Sequence, residues 1–156
     1  MSLSSTIPYV PTPKDVVFKM LKLAEVKTDE VVIDAGAGDC RVVVIAVLHF
    51  KAIGIGIEKN PVLVKECLKL FEKYRLRGRA YIVYGDLLEF NYSIADVVTL
   101  YLGTEMNEKL RPKLERELKP GTRVVSHDFE VPGWSPEKVV EIEGPLRRHK
   151  IYLYYR

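Results

Sequence analysis

The chain has 156 residues, 47% of them apolar and 29% charged, a balance that fits one folded domain and excludes a disordered chain. A net charge of +3 is too small to mark a nucleic-acid-binding surface, and the apolar run that starts at Val42 falls far short of the ~18 residues a membrane span needs. The N-terminus lacks the charged-then-apolar pattern of a signal peptide, so a cytoplasmic, monomeric protein with no membrane partner is expected.

In chain order, Thr12-Pro13-Lys14-Asp15 reads as a helix start with Thr12 at the N-cap, and Val16, Val17, Met20 and Leu21 follow at helical spacing. Residues 31–34 form a short apolar strand that runs into the turn Asp34-Ala35-Gly36-Ala37-Gly38, and residues 42–50 read as a helix. Residues 52–58 make a second strand. Asn60-Pro61 then opens a helix that reaches about residue 75, since Asn suits the N-cap and Pro the first helical position. Residues 80–84 make a third strand closed by Gly85-Asp86, and residues 96–102 a fourth. A helix over 105–118, kinked or restarted at Pro112, stops at Pro120-Gly121. Residues 122–129 make a fifth strand, and 139–143 with 151–155, joined through Gly144-Pro145, close the chain as a hairpin. Strands alternating with helices predict a single α/β domain: a Rossmann-like, mostly parallel sheet with an antiparallel C-terminal hairpin. Such sheets bind ligands at the carboxyl ends of their strands.

Cys40 and Cys67 each fall in a predicted helix without metal-ligand spacing, so two buried thiols are expected, with neither a zinc site nor a disulfide. No metal is expected. Ser126-His127-Asp128 spells the residue types of a hydrolase triad, but strand neighbours alternate faces and cannot form the relay. His49 and His149 have no partner at ligand spacing and read as surface or packed side chains. Trp134 is expected to anchor a loop that replaces a helix after the fifth strand.

The chemistry gathers at strand ends. In the first glycine turn, Gly36, Ala37 and Gly38 let a ligand approach the backbone, but a dinucleotide fingerprint would want a third glycine where Arg41 stands. Asp34, two residues before the first glycine, is placed for a ligand's ammonium group. Glu58, with Lys59 beside it, ends the second strand 24 residues later (34 to 58), near the ~20 expected of a ribose-binding carboxylate. Asp86 after the third strand can accept from an adenine amino group, with the Leu87 amide donating to the ring. Three acids on three successive strand ends describe one ligand: an amino acid, a ribose and an adenine.

Asp34-Ala35-Gly36-Ala37-Gly38, Glu58 and Gly85-Asp86 resemble, in order and spacing, the motifs of class I S-adenosylmethionine methyltransferases. More narrowly, Pro8-Tyr9-Val10-Pro11-Thr12-Pro13 and the stretch 114–129 are similar to the small archaeal protein-lysine methyltransferases, and mitochondrial lysine methyltransferases share Tyr-Val-Pro-Thr-Pro. The resemblance implies strand order 3-2-1-4-5-7-6, S-adenosyl-L-methionine as cofactor, and protein substrates with exposed lysines. A chain with no Gln, three Asn and many Lys, Arg and Glu adds a thermophilic bias to the archaeal likeness. Two departures stand out. Cys40 replaces the usual last glycine and would narrow the space beside the cofactor, and Asp86 is acidic where some relatives carry Asn.

Methyl transfer to an amine is an in-line displacement that rewards alignment, and an apolar, aromatic channel favours a neutral lysine. Tyr101, with Leu102 behind the fourth strand, and Tyr9 and Phe129 are the candidate walls, and Thr12 and Tyr9 of the segment 1–13 also reach the cofactor. The alternatives are an RNA or small-molecule methyltransferase, and a module that binds the cofactor without turnover. A small enzyme without a recognition insert is expected to choose lysines by exposure more than by surrounding sequence.

Overall fold

The computed structural model describes residues 10–156, so Tyr9 lies outside the described residues. Seven strands form one sheet in the order β3-β2-β1-β4-β5-β7-β6, the order the resemblance implies. They are β1 (Val31–Ala35), β2 (Ile53–Glu58), β3 (Ala80–Tyr84), β4 (Val97–Leu100), β5 (Arg123–His127), β6 (Lys138–Glu143) and β7 (Arg148–Tyr155). β1 to β5 run parallel, and β7 is antiparallel to both β5 and β6. The helices are α1 (Lys14–Leu23), α2 (Arg41–Phe50), α3 (Pro61–Lys73) and α4 (Thr104–Glu117).

Strand alternation assigns the two faces. Val32, Val97, Val125, Ile151 and Leu153 pack with α1 and α2, whereas Ile33, Val98, Val124, Tyr152 and Tyr154 pack with Leu110 and Leu114 of α4. Helix α2 contacts α1, β1, β2 and β3, which is why Val42 through Val47 are all buried rather than forming one apolar stripe. Asn60 caps α3 as expected, its Oδ1 accepting from the Val62 amide at 2.9 Å. Helix α4 runs across Pro112 without a restart, which leaves the kink as the remaining half of the expectation. It carries the i,i+4 pairs Glu105–Lys109, Arg111–Glu115 and Lys113–Glu117, the first exposed and the last half-buried. No helix follows β5: Trp134 packs edge-on to Tyr154 at 5.5 Å and lies under the Arg156 guanidinium, fixing the loop as predicted.

Three local expectations change. Pro13, not Thr12, stands at the N-cap position of helix α1 with no side-chain cap, and the Thr12 hydroxyl is engaged elsewhere. Strand β5 ends at His127, since Asp128 turns left-handed (φ 63) and leaves the ladder. Cys40 and Cys67 are joined in a disulfide, with Cα atoms 5.5 Å apart, rather than standing as two thiols. Cys40 lies at the N-cap of α2, where packing of α3 against the same strands brings Cys67 alongside.

Candidate active site

A cleft of about 420 Å³ opens at the carboxyl ends of β1 and β4. Its walls are the strap 10–12, the glycine turn with the start of α2, the segment 99–103, and Phe129. Gly36 and Gly38 take left-handed conformations (φ 78 and 57), and a Cβ on Gly36 would come 3.1 Å from Leu102 Cδ2. The Gly36 and Ala37 amides both donate to the Ile57 carbonyl, at 3.0 and 2.8 Å, so the turn is pinned to β2. Cys40 is also left-handed (φ 64), which gives a physical reason for the glycine usual at that position. Its sulfur is bonded to Cys67, and Cys40 is not among the residues that line the cleft.

Asp34 sits opposite Thr99 in the β1–β4 register, and the Thr99 hydroxyl donates to Asp34 Oδ1 at 2.8 Å. The carboxyl is 6% exposed. Burial pushes its pKa up to about 7; the Thr99 hydrogen bond works against this, and the charges of Glu58 and Asp39 add to it. A buried carboxyl on the wall of a cleft is suited to a ligand ammonium, because the cation favours the ionised form that burial disfavours.

Glu58 is fixed at the end of β2 by two amides, Gly38 N–H to Oε1 at 2.8 Å and Asn60 N–H to Oε2 at 2.9 Å. Each oxygen keeps a second lone pair for another donor. Asp86 follows β3, its Oδ1 accepting from the Leu88 amide at 2.8 Å, and Leu87 Cδ2 lies 3.7 Å from where a Cβ on Gly36 would stand. Since β1, β2 and β3 are neighbours, the three acids follow strand ends set ~4.8 Å apart, spanning ~10 Å of the sheet's carboxyl edge. Asp34, Gly36, Ala37 and Gly38 line the cleft itself, whereas Glu58, Lys59, Asp86 and Leu87 continue the edge beyond it.

On the other side, Tyr101 and Phe129 line the cleft with rings stacked at 6.1 Å. The Tyr101 ring also covers His127 at 4.1 Å. Thr12 lines the cleft and is 5% exposed; its hydroxyl meets His127 Nδ1 at 2.9 Å. His149 does not stand alone, because the β5–β7 pairing brings its Nδ1 within 2.8 Å of His127 Nε2. The triad relay is absent: Ser126 Oγ donates to the Phe129 carbonyl at 2.5 Å rather than meeting His127. Asp128 Oδ2 does come within 3.4 Å of His127 Nε2, and Arg147 donates to the same oxygen at 2.7 Å; His127, Asp128 and His149 bring their ligand atoms within 4.8 Å of one another, close enough to hold a metal ion.

A family profile for the ANTKMT methyltransferase domain matches residues 34–138, from the buried carboxylate to the start of β6. The chain belongs to this methyltransferase family. It is 47% identical over 155 residues to a protein-lysine N-methyltransferase of Saccharolobus islandicus, a match covering 99% of this chain and 96% of that protein. It is 32% identical to the adenine nucleotide translocase lysine N-methyltransferase of Mus musculus, covering 86% of this chain but only 58% of that longer protein. Among solved structures, an RNA methyltransferase from Salinibacter ruber in complex with S-adenosyl-L-homocysteine superposes with a TM-score of 0.89 at 44% identity, covering 94% of this chain and 93% of that one.

Within the family's sheet, sequence reasoning missed several cleft residues. Thr99 meets Asp34 only through strand pairing, which leaves no local signal. Asp39 and Arg41 form an ion pair at 2.6 Å on the cleft wall, and Arg41 Nη1 donates to the Thr12 carbonyl at 3.1 Å. The signal for these two is present in the sequence, an acid and a base two residues apart before a helix. It is masked because Arg41 stands out first as the residue that breaks a dinucleotide fingerprint.

Proposed function

We propose that the protein transfers the methyl group of S-adenosyl-L-methionine to the ε-amino group of protein lysines. The observation that carries this reading is the buried Asp34 on the cleft wall, with Glu58 ending the next strand and Asp86 following the one after. The full-length similarity to an archaeal lysine methyltransferase supports the choice of acceptor.

In this reading Asp34 holds the cofactor's amino group, and Gly36, Ala37 and Gly38 let its chain lie against the backbone. Glu58 accepts from the ribose hydroxyls beside Lys59, while Asp86 and the Leu87 amide bracket the adenine. The cofactor supplies an electrophilic methyl on a sulfonium. Tyr101 and Phe129, with Thr12 of the strap 10–12, form the walls that align the acceptor and exclude water, and Tyr9, which lies outside the described residues, is proposed to join them; a lysine entering them is desolvated and more easily neutral. With the cofactor bound, transfer of its methyl to the neutral amine would release S-adenosyl-L-homocysteine and leave a methylated ammonium, whose proton would pass to water. Only the ten residues 128–137 separate β5 from β6, so nothing inserted there reads the substrate, which supports selection by lysine exposure.

The Salinibacter structure favours a second reading, methylation of RNA. The two separate when methyl-labelled cofactor is incubated with the protein and, in parallel, with pools of protein, RNA and small metabolites. Label is expected on lysines of many proteins, without a tight consensus around them. Label confined to RNA or to metabolites would overturn the lysine reading, and no labelled product in any pool would leave a cofactor-binding module.

A further inference from the structure

We propose that His127, seated on His149, is a positioning residue that holds the Thr12 hydroxyl and with it the strap 10–12 across the cofactor cleft. The inference rests on the reading of that cleft as the S-adenosyl-L-methionine site.

Val10, Pro11 and Thr12 form one wall of the cleft, yet they precede the first helix and belong to no strand. Thr12 is secured at two points. Its carbonyl accepts from Arg41 at the start of α2, and its hydroxyl meets Nδ1 of His127 at the end of β5, 115 residues away. His127 is fully buried, and its far nitrogen meets His149 Nδ1 on the adjacent strand. His149 is itself 4% exposed and seated against Gly144, where a Cβ would come 2.6 Å from its Nε2. The Tyr101 ring closes over His127 from the cleft side.

The chain Thr12–His127–His149 is therefore rigid at its inner end and open to the cleft at its outer end. Burial pushes His127 down to about 4, with the His149 and Arg147 charges adding and Asp128 opposing, so the imidazole is neutral near pH 7. A neutral ring carries one N–H. With the proton on Nε2, His127 donates to His149 and accepts from Thr12; with it on Nδ1, His127 donates to Thr12 and accepts from His149. Either arrangement uses both ring nitrogens and keeps the hydroxyl in place. Leaving that buried hydroxyl without its partner would free the strap on the side of the cleft where cofactor and acceptor meet.

Two substitutions separate positioning from packing. Asparagine places its amide near the Nδ1 position and can still meet Thr12, whereas glutamine places its amide near Nε2 and can meet only His149. Cofactor KM, acceptor KM, kcat and melting temperature are measured for wild type, His127→Asn, His127→Gln, Thr12→Val and the Thr12→Val/His127→Gln double variant. The expected result is a cofactor KM raised about tenfold by His127→Gln and by Thr12→Val, a smaller rise for His127→Asn, and no additive increase in the double variant. Acceptor KM changes less than cofactor KM. Equal cofactor KM values for the Asn and Gln variants, or additive effects in the double variant, overturn the proposal. Should the His127 variants not fold, a cofactor KM unchanged by Thr12→Val overturns it alone, and a tenfold rise supports it. Failure of the wild-type protein to bind the cofactor instead overturns the reading on which the proposal rests.

Discussion

Asp34→Asn is expected to stabilise the protein at pH 8 while weakening cofactor binding roughly a hundredfold or more, because it removes a buried charge that the ligand needs. The Asp34 carboxyl is pushed from 3.8 to about 7, first by burial, so the folded chain holds a proton that the unfolded chain releases. This group's contribution to stability is complete below about pH 4 and is lost as pH rises towards 7, at ~1.4 kcal/mol per unit. Asparagine keeps an acceptor for the Thr99 hydroxyl and carries no charge to bury. Its melting temperature should therefore exceed that of wild type by about 5 to 15 °C at pH 8, with a smaller gain at pH 5. Wild-type cofactor affinity should fall as pH drops below about 7, where binding must first expel the proton. Calorimetry across pH 5 to 9 checks both arms. A variant less stable than wild type, or one that binds the cofactor normally, contradicts the role given to Asp34.

Cys67→Ser should lower the melting temperature by about 7 to 14 °C under non-reducing conditions. The Cys40–Cys67 disulfide closes a loop of 27 residues, for which loop-closure entropy alone gives about 3.5 kcal/mol. It also ties the left-handed N-cap of α2, two residues beyond Gly38, to the middle of α3. A strong reductant should reproduce the loss in wild type and leave Cys67→Ser unchanged. Two freely titrating thiols in the native oxidised protein, with no effect of reductant on melting, would contradict the bridge.

The features readable in the sequence are those encoded locally. Glycine and proline punctuation between apolar runs marks the strands, and Asp34, Glu58 and Asp86 stand out because each sits at or just after the carboxyl end of a strand. What escapes depends on elements brought together from afar. Thr12 has the right type for an N-cap, but its hydroxyl meets His127 and the N-cap position falls on Pro13, which offers no side-chain cap. His149 looks solitary in the sequence because its partner is set by the antiparallel register of β5 with β7, and that register is a tertiary fact. Cys40 precedes α2 at its N-cap and Cys67 lies in α3, so only the packing of α3 beside α2 reveals them as a pair. The apolar pattern carries β5 two residues too far because the left-handed turn at Asp128, a residue that tolerates it, leaves no mark there.

The most direct measurement is a crystal structure grown with S-adenosyl-L-homocysteine. The expected density places the ligand's amino group within hydrogen-bonding distance of Asp34, its ribose hydroxyls on Glu58, and its adenine between Asp86 and the Leu87 amide, with the thioether sulfur facing Tyr101. Ligand bound elsewhere on the molecule, or in the cleft with Asp34 and Glu58 out of contact, would contradict the assignment.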